Sequence, residues 1–213
     1  MAIKTTAEPF LPTRISLKSL RSAAASCRGC ELYKNATQTV FGEGPRSAQL
    51  VLLGEVPGDQ EDREGRPFVG PAGRLLDEAL NEANLSRAEV YITNAVKHFR
   101  WEPRGKRRLH KKPTSRQIEA CRPWLQAELL VVKPKVIVCL GATAAQATLG
   151  SAFRITKHRG SFYKSDVAWI TATHHPSAVL RTPDENARKR KRQEMIKDLR
   201  QAARRLAIVL DSN

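Results

Sequence analysis

The chain has 213 residues, 41% of them hydrophobic, which is enough for one sizeable globular domain with a packed core. Its 37 Lys and Arg against 21 Asp and Glu give a net charge of +16, which favours a polyanionic partner such as nucleic acid. No apolar run reaches the roughly 18 residues that a membrane-spanning helix needs, and the N-terminus lacks an apolar signal core. We therefore expect a cytoplasmic protein that contacts no membrane.

The N-terminal part of the chain predicts an irregular lead-in over residues 1–14, followed by one domain over 15–213. Residues 15–26 have the apolar spacing of a helix. Directly after them, Cys27-Arg28-Gly29-Cys30 places two thiols in a turn that is suited to chelating zinc or an iron–sulfur cluster.

One CxxC turn is half of a metal site, so the other half must come from elsewhere in the chain. The remaining thiols are Cys121, on a predicted helix, and Cys139, in the middle of an apolar strand. A cysteine in such a strand is typically a small core residue, so we expect Cys139 to be core.

Four apolar segments predict strands, and they alternate with helical patterns. A strand that is apolar on both faces is typical of a parallel sheet covered by helices. The chain therefore predicts an α/β fold, a three-layer α/β/α sandwich with a central four-stranded, mainly parallel sheet. The predicted strands are 49–55, 90–96, 134–143 and the first part of 167–181, and the main helices are 74–85, 115–132 and 184–210.

Polar residues follow these strands at the points where each one ends. The residues at these predicted positions are Glu55, Asp59, Asn94, His110, His175 and Arg181. Because ligands bind beyond the carboxyl ends of parallel strands, these residues are expected to line one cleft.

The segment 97–113, KHFRWEPRGKRRLHKKP, contains eight Lys or Arg and one Glu. A loop this basic favours contact with nucleic-acid phosphate, although it can also be simply solvated. His110 lies among these cations, which disfavour its protonation. A neutral imidazole has a lone pair and can act as base, ligand or nucleophile.

Several motifs together resemble a known family. GEVPGDQEDREGRPFVGPAGRLLDEAL (54–80) resembles the first signature of the uracil-DNA glycosylase superfamily in its iron–sulfur branches, and HPSAVLR (175–181) resembles the second. The CRGC turn (27–30) and its spacing to Cys121 also match. KRRLH (106–110) resembles the extra loop of the X-type branch, which is known for bonding covalently to uracil-containing DNA.

The resemblance implies a pocket for a uracil that has been flipped out of the base stack. Phe68 would stack on the base, although without that context it reads as a core residue. Asn94 would read the carbonyl and imide edge. The turn that includes Gly54, Val56 and Asp59 would supply main-chain contacts. Val56 departs from the X-type pattern, which tends to have glutamine there, so a side-chain contact is expected to be lost.

The resemblance also implies catalytic and DNA-binding roles. His175 would donate to the developing uracil anion, Glu55 would stabilise the cationic sugar or accept a proton, and His110 would attack the sugar. The expected DNA contacts are Lys106, Arg107, Arg108, Ser177 and Arg181.

The family pattern implies a [4Fe–4S] cluster held by Cys27, Cys30, His98 and Cys121. Ordinary iron–sulfur relatives have a cysteine where this chain has His98. Imidazole replaces thiolate on iron in Rieske centres, so the substitution is chemically reasonable. Zinc is the competing metal.

We therefore expect a monomeric DNA repair enzyme that excises uracil from DNA, with preference for single strands, and releases free uracil. It would then remain covalently bound to the abasic site through His110. The expected location is cytoplasmic and nucleoid-associated, of the bacterial type. The alternatives are an ordinary multiple-turnover iron–sulfur uracil-DNA glycosylase and a non-catalytic binder of abasic or single-stranded DNA.

Overall fold

A central sheet runs through the protein, seen in a computed structural model that describes residues 5–212. Every residue of β1, β2 and β5 is buried, as expected of central strands that are covered on both faces. The strands are β1 (Leu50–Gly54), β2 (Tyr91–Asn94), β3 (Trp101–Arg104), β4 (Arg107–His110), β5 (Val136–Leu140), β6 (Tyr163–Lys164) and β7 (Trp169–Thr173).

The sheet has the strand order β2-β1-β5-β7-β6, and its first four strands are parallel. The predicted α/β class and mainly parallel sheet are confirmed, but the predicted number of four strands is wrong. The fifth strand, β6, pairs antiparallel with β7 at the sheet edge. It has only two residues, too few to show the alternation by which a strand is recognised in a sequence.

Helices cover both faces of the sheet, so the three-layer arrangement is also observed. One core cluster joins alternate residues such as Leu52 and Val138 to helices α3 and α8. The other joins Val51 and Ile137 to α4 and α5. The helices are α1 (Leu17–Ala24), α2 (Asp59–Glu64), α3 (Pro71–Glu82), α4 (Ser115–Val132), α5 (Ala142–Leu149), α6 (Ile155–His158), α7 (Pro176–Leu180) and α8 (Glu185–Asp211).

The basic segment is not an open loop. Its strands β3 and β4 form a separate antiparallel hairpin, which turns at Gly105 with a left-handed φ of 56°. A backbone hydrogen bond from Lys111 N to Arg100 O, at 2.9 Å, closes the base of the hairpin. The chain between β2 and α4 therefore has a defined shape that its composition did not indicate.

The lead-in packs on the domain, as far as it is described, while residues 1–4 lie outside the described residues. Ala7 is buried, and its N–H donates to Ala120 O at 2.7 Å. A short 3₁₀ helix follows over Glu8–Phe10. Together with α1 and α4, this segment surrounds a third buried cluster that contains Cys27, Cys30 and Cys121.

Candidate active site and cysteine cavity

A pocket wall forms where β1 and β2 end beside each other. Gly54 is paired in register with Asn94. A Cβ atom added to Gly54 would lie 2.2 Å from Asn94 Oδ1 and 2.7 Å from the ring of Phe68. Only glycine therefore lets the amide and the aromatic ring approach this point, and the structure brings together these three predicted pocket residues.

Phe68 is held in place by backbone constraints on both sides. Its φ of 53° is left-handed, which is uncommon for a bulky residue and marks a functional constraint. The carboxylate of Glu61 accepts hydrogen bonds from Val69 N at 3.0 Å and Gly70 N at 2.8 Å. Gly73 leaves room for the Phe68 carbonyl, since a Cβ there would lie 1.9 Å from it. Glu61 was not among the predicted site residues, although it lies in the first signature.

His175 lies across the pocket from Phe68, with the ring centroids 6.0 Å apart. Its Nδ1 accepts from the backbone N–H of Ser177 at 3.1 Å, so the neutral ring carries its proton on Nε2. Burial, with the positive charges of Arg181 and His110, lowers the pKa of His175 to about 4. His175 is therefore a neutral donor at physiological pH.

Glu55 follows β1 directly and lies deep in the same cleft. Its Oε1 is buried and has no hydrogen-bond partner among the described residues. Burial raises the pKa of this carboxyl, an effect that the Thr143 hydroxyl and the charges of Lys112 and Arg181 oppose. A buried carboxyl oxygen without a partner marks a place where a ligand group would be bound. Thr143 and Lys112 are further site residues that the sequence did not suggest.

His110, the last residue of β4, is near enough to His175 for the two residues to interact electrostatically. The residue is exposed overall, but its ring lies 6.0 Å from that of Phe99, between centroids. Partial burial of the ring and the charge of Arg181 lower the pKa of His110. Arg181 is therefore near enough to Glu55, His110 and His175 to act on all three electrostatically.

Arg108 attaches the hairpin to helix α2. Its guanidinium forms ion pairs with Asp59 and with the buried Asp62, at 2.6 Å for the latter. It also lies over the rings of Phe99 and Trp101, at 5.3 and 5.6 Å from their centroids. Arg108, expected to contact DNA, thus has its charge compensated within the protein. Asp62 was not predicted as a site residue.

The other predicted DNA contacts are distributed around the cleft. Lys106, Arg107 and Arg181 are exposed, and the Ser177 hydroxyl bonds His175 Nδ1 at 2.8 Å. Val56 lies apart from the pocket, since its side chain is buried in the cluster that contains the cysteines.

The four predicted metal ligands line one small cavity. Cys27, Cys30, Cys121 and His98 all border it, and each is buried. Burial lowers the pKa of His98 to about 4, so its ring is neutral, and its Nε2 bonds Thr39 Oγ1 at 3.0 Å. A histidine that binds a metal through one ring nitrogen typically has its other ring nitrogen hydrogen-bonded in this way.

The chemistry of the thiols also fits a bound metal. Trp124 Nε1 donates to Cys27 Sγ at 3.2 Å, and Lys97 N donates to Cys121 Sγ at 3.3 Å. Such bonds to sulfur are a feature of iron–sulfur sites. Burial raises the pKa of Cys121 to about 12, so a thiolate there requires a metal cation.

Within residues 5–212, no three His, Cys, Asp or Glu side chains form a group that could hold a metal ion. The four predicted ligands line the cavity together. Cys139 lies in the sheet core instead.

Comparison with known proteins identifies the family. The model of the uracil DNA glycosylase superfamily matches residues 41–200 of the chain. The chain belongs to the uracil-DNA glycosylase superfamily. The matched range contains both sequence signatures and the hairpin, which lies between them in the chain. None of the helices in the described range has the length and apolar character needed to cross a membrane.

Individual relatives align over most of their length. The type-4 uracil-DNA glycosylase of Thermotoga maritima is 40% identical over 169 residues, which cover 76% of this chain and 82% of that protein. The type-4 uracil-DNA glycosylase of Archaeoglobus fulgidus is 38% identical, with coverage of 79% and 85%. The type-5 uracil-DNA glycosylase of Thermus thermophilus is 31% identical, with coverage of 79% and 80%.

The contacts of Arg108 lead to a prediction about the hairpin. We expect Arg108→Ala to lower the free energy of unfolding by about 2–4 kcal/mol, because Asp62 would be left buried without its charged partner. Denaturant unfolding measures this change. Limited chymotrypsin digestion should also cleave the hairpin faster. Arg107→Ala, at the exposed neighbouring position, is the matched control, and equal stability and protease resistance of the two variants would contradict the anchoring role.

Proposed function

We propose that this protein is a uracil-DNA glycosylase that becomes covalently attached to the abasic site it produces. The observation that carries the proposal is the pocket of Gly54, Phe68 and Asn94, which has Glu55 and His175 beside it and a histidine-bearing hairpin at its mouth. Membership of the superfamily and the names of the type-4 relatives support the glycosylase activity. The resemblance of KRRLH to the X-type loop supports the attachment.

Base recognition would use the Phe68 ring and the Asn94 amide, which meet over Gly54. A flipped uracil stacks on Phe68, and such stacking contributes about 1–3 kcal/mol per base. The amide of Asn94 donates and accepts at once, which matches the adjacent carbonyl and N–H groups of uracil. Main-chain groups of the turn from Gly54 to Asp59 contact the base, and the Val56 side chain, buried elsewhere, makes no contribution.

Cleavage of the glycosidic bond leaves the bonding electrons on uracil and positive charge on the sugar. The neutral His175 ring donates its Nε2–H to the uracil oxygen where negative charge develops. Glu55, as a carboxylate, stabilises the cationic sugar. Because Glu55 Oε1 has no hydrogen-bond partner among the described residues, no existing hydrogen bond must break before it stabilises the sugar.

His110 would then attack before water does. After the C1′–N bond to uracil has broken, the lone pair of its neutral imidazole forms a bond to C1′ of the cationic sugar. The alkylated ring loses its N–H proton to Glu55, and the uracil anion takes a proton from water to give the free base. The carbon–nitrogen bond formed is a poor leaving group at neutral pH, so the protein does not turn over.

Exposed cations would hold the DNA strand around the flipped nucleotide. Lys106, Arg107 and Arg181 are available for phosphate contacts, with Ser177 beside them. We assign Arg108 to anchoring the hairpin on α2. A stacking pocket with a basic rim suits single-stranded DNA. The protein would act as a monomer in the cytoplasm, where its substrate is.

The cavity that Cys27, Cys30, His98 and Cys121 border would hold a [4Fe–4S] cluster. When bound, this group supplies a cross-link between the N-terminal segment, the start of the hairpin segment and helix α4. We assign the cluster a structural contribution, because the residues proposed to contact substrate lie elsewhere, beyond the carboxyl ends of the strands.

The covalent attachment is tested with a labelled single-stranded oligonucleotide that contains one uracil. We expect a band that stays shifted on a denaturing gel after heating and is absent with thymine. His110→Ala should form no such band yet still cause strand breakage after alkali, because water then reaches C1′. His158→Ala, at a histidine that contacts Tyr163 and Phe153, is the control and should retain the band.

Other results of the oligonucleotide experiment would favour a different mechanism or a different function. A full adduct with His110→Ala would remove His110 from the mechanism. Wild-type strand breakage without an adduct would identify an ordinary multiple-turnover glycosylase. If the wild-type protein gave neither product, the non-catalytic DNA-binding alternative would replace the proposed function.

The raised pKa of Glu55 predicts the pH dependence of excision. The carboxylate is the active form, so the single-turnover rate should fall as the pH decreases through this raised pKa. His175, with its pKa near 4, stays neutral over the same range. Glu55→Gln should lower the rate by about 10²–10⁴-fold and flatten the acid side of the profile. An acid limb that persists in Glu55→Gln would assign the titration to another group.

The metal ligands are tested by the colour and iron content of purified variants. We expect His98→Ala and Cys121→Ala each to lose both, while Cys139→Ala, the control cysteine in the sheet core, keeps them. Zinc without iron in the wild-type protein would contradict the cluster. Loss of iron in Cys139→Ala but not in His98→Ala would reverse the ligand assignment.

A further inference from the structure

Lys97 carries a charge that is almost completely enclosed by the protein. Its side chain is 1% exposed, and Glu128, its ion-pair partner, is 0% exposed. Taking two such charges out of water costs several kcal/mol each, so the pair is retained only where hydrogen bonds compensate for it. The hydrogen-bond partners of Lys97 and Glu128 show which parts of the chain this ion pair connects.

The carboxylate of Glu128 gathers three backbone or hydroxyl donors from other elements. Its Oε1 accepts from Gly42 N at 3.1 Å, from the Tyr91 hydroxyl at 2.8 Å and from Thr93 Oγ1 at 3.0 Å. Its Oε2 accepts from Lys97 Nζ. Helix α4 is thereby joined to strand β2 through one buried carboxylate.

The ammonium of Lys97 uses its remaining two donors on strand β2. It donates to Thr93 Oγ1 at 2.7 Å and to the backbone carbonyl of Asn94 at 2.8 Å. Asn94 is the last residue of β2 and the residue whose amide lines the pocket. All three N–H groups of Lys97 are thus satisfied, and one of them fixes the peptide of the base-reading residue.

The turn after Asn94 is fastened to β1 in the same region. Ala95 N donates to Gly54 O at 2.9 Å, and Val96 N donates to Glu55 O at 3.1 Å. These two bonds set the position of Asn94 relative to the pocket floor and to the buried carboxyl of Glu55. The Lys97 side chain closes the turn from the opposite side.

The backbone of Lys97 faces the cysteine cavity. Its N–H donates to Cys121 Sγ, and its carbonyl accepts from Val40 N at 2.8 Å. One residue therefore contacts both the cavity wall and the carbonyl of Asn94.

We propose that Lys97, held by Glu128, is a positioning residue that fixes the orientation of Asn94 and Glu55 for base recognition. Lys97 does not contact substrate, and the inference rests on the proposed glycosylase function for its catalytic consequence. It removes Lys97 from the set of cations in the basic segment that are available to DNA. Through its backbone and its side chain, Lys97 also connects the wall of the cysteine cavity to the pocket residue Asn94.

The test uses Lys97→Met/Glu128→Gln, in which both charges are removed, so that no buried charge is left unpaired. We expect this variant to fold and keep its iron, while the single-turnover rate of uracil excision at saturating DNA falls by about 10–100-fold. Affinity for DNA that contains an abasic site should stay the same. The double variant Lys189→Met/Glu185→Gln, an exposed ion pair on α8, is the control and should match the wild type.

Hydrogen exchange provides a readout that does not depend on activity. The amides of Ala95 and Val96 should exchange faster in Lys97→Met/Glu128→Gln than in the wild type, with global stability measured alongside. An unchanged excision rate with unchanged exchange of these amides, or a rate loss that accompanies loss of iron, would overturn the proposal. If the wild type released no uracil, the proposed function would fail, and amide exchange would still decide whether Lys97 positions this turn.

Discussion

The short helix α2 holds two parts of the site at once. Glu61 binds the amides after Phe68, and Asp62 binds Arg108 of the hairpin. Both carboxylates are largely or completely buried, where each depends on its partners for compensation. The position of the Phe68 ring and the position of the His110 hairpin are therefore set by consecutive residues of one helix.

The charge of the protein is compensated unevenly along the chain. Lys97 is paired with Glu128, Arg108 with two aspartates, and Lys111 with Glu102. These three cations belong to the segment whose composition first suggested contact with phosphate. The positive field at the cleft mouth therefore comes from fewer residues than a charge count indicates, and Arg181 acts on the three candidate catalytic groups.

Parts of the fold with strong local signals could be predicted. Helix α4 has the predicted bounds of 115–132, since Thr114 and Gln117 form a capping box at its start. The parallel strands were evident from their apolar runs, and these runs also predicted that Glu55 and Asn94 lie at strand ends. Strand β6 and the hairpin were missed, because two residues show no period and exposed charged strands show no apolar face. The partners of Arg108 are distant in sequence, so no local pattern distinguishes an anchoring arginine from a free one.

The hairpin is an appendage that the central sheet does not require. Among the described residues its strands pair only with each other, and the Lys111–Arg100 bond closes the hairpin before the chain enters α4. An ancestral chain could therefore have gained or lost such a hairpin without any change of strand order or pocket floor. In evolutionary terms, the residue that would form the covalent bond lies on a separate hairpin, and the pocket proposed to read the base belongs to the central sheet and its loops. A glycosylase that turns over and one that stays covalently attached to DNA would then differ by a small insertion and not by a new fold.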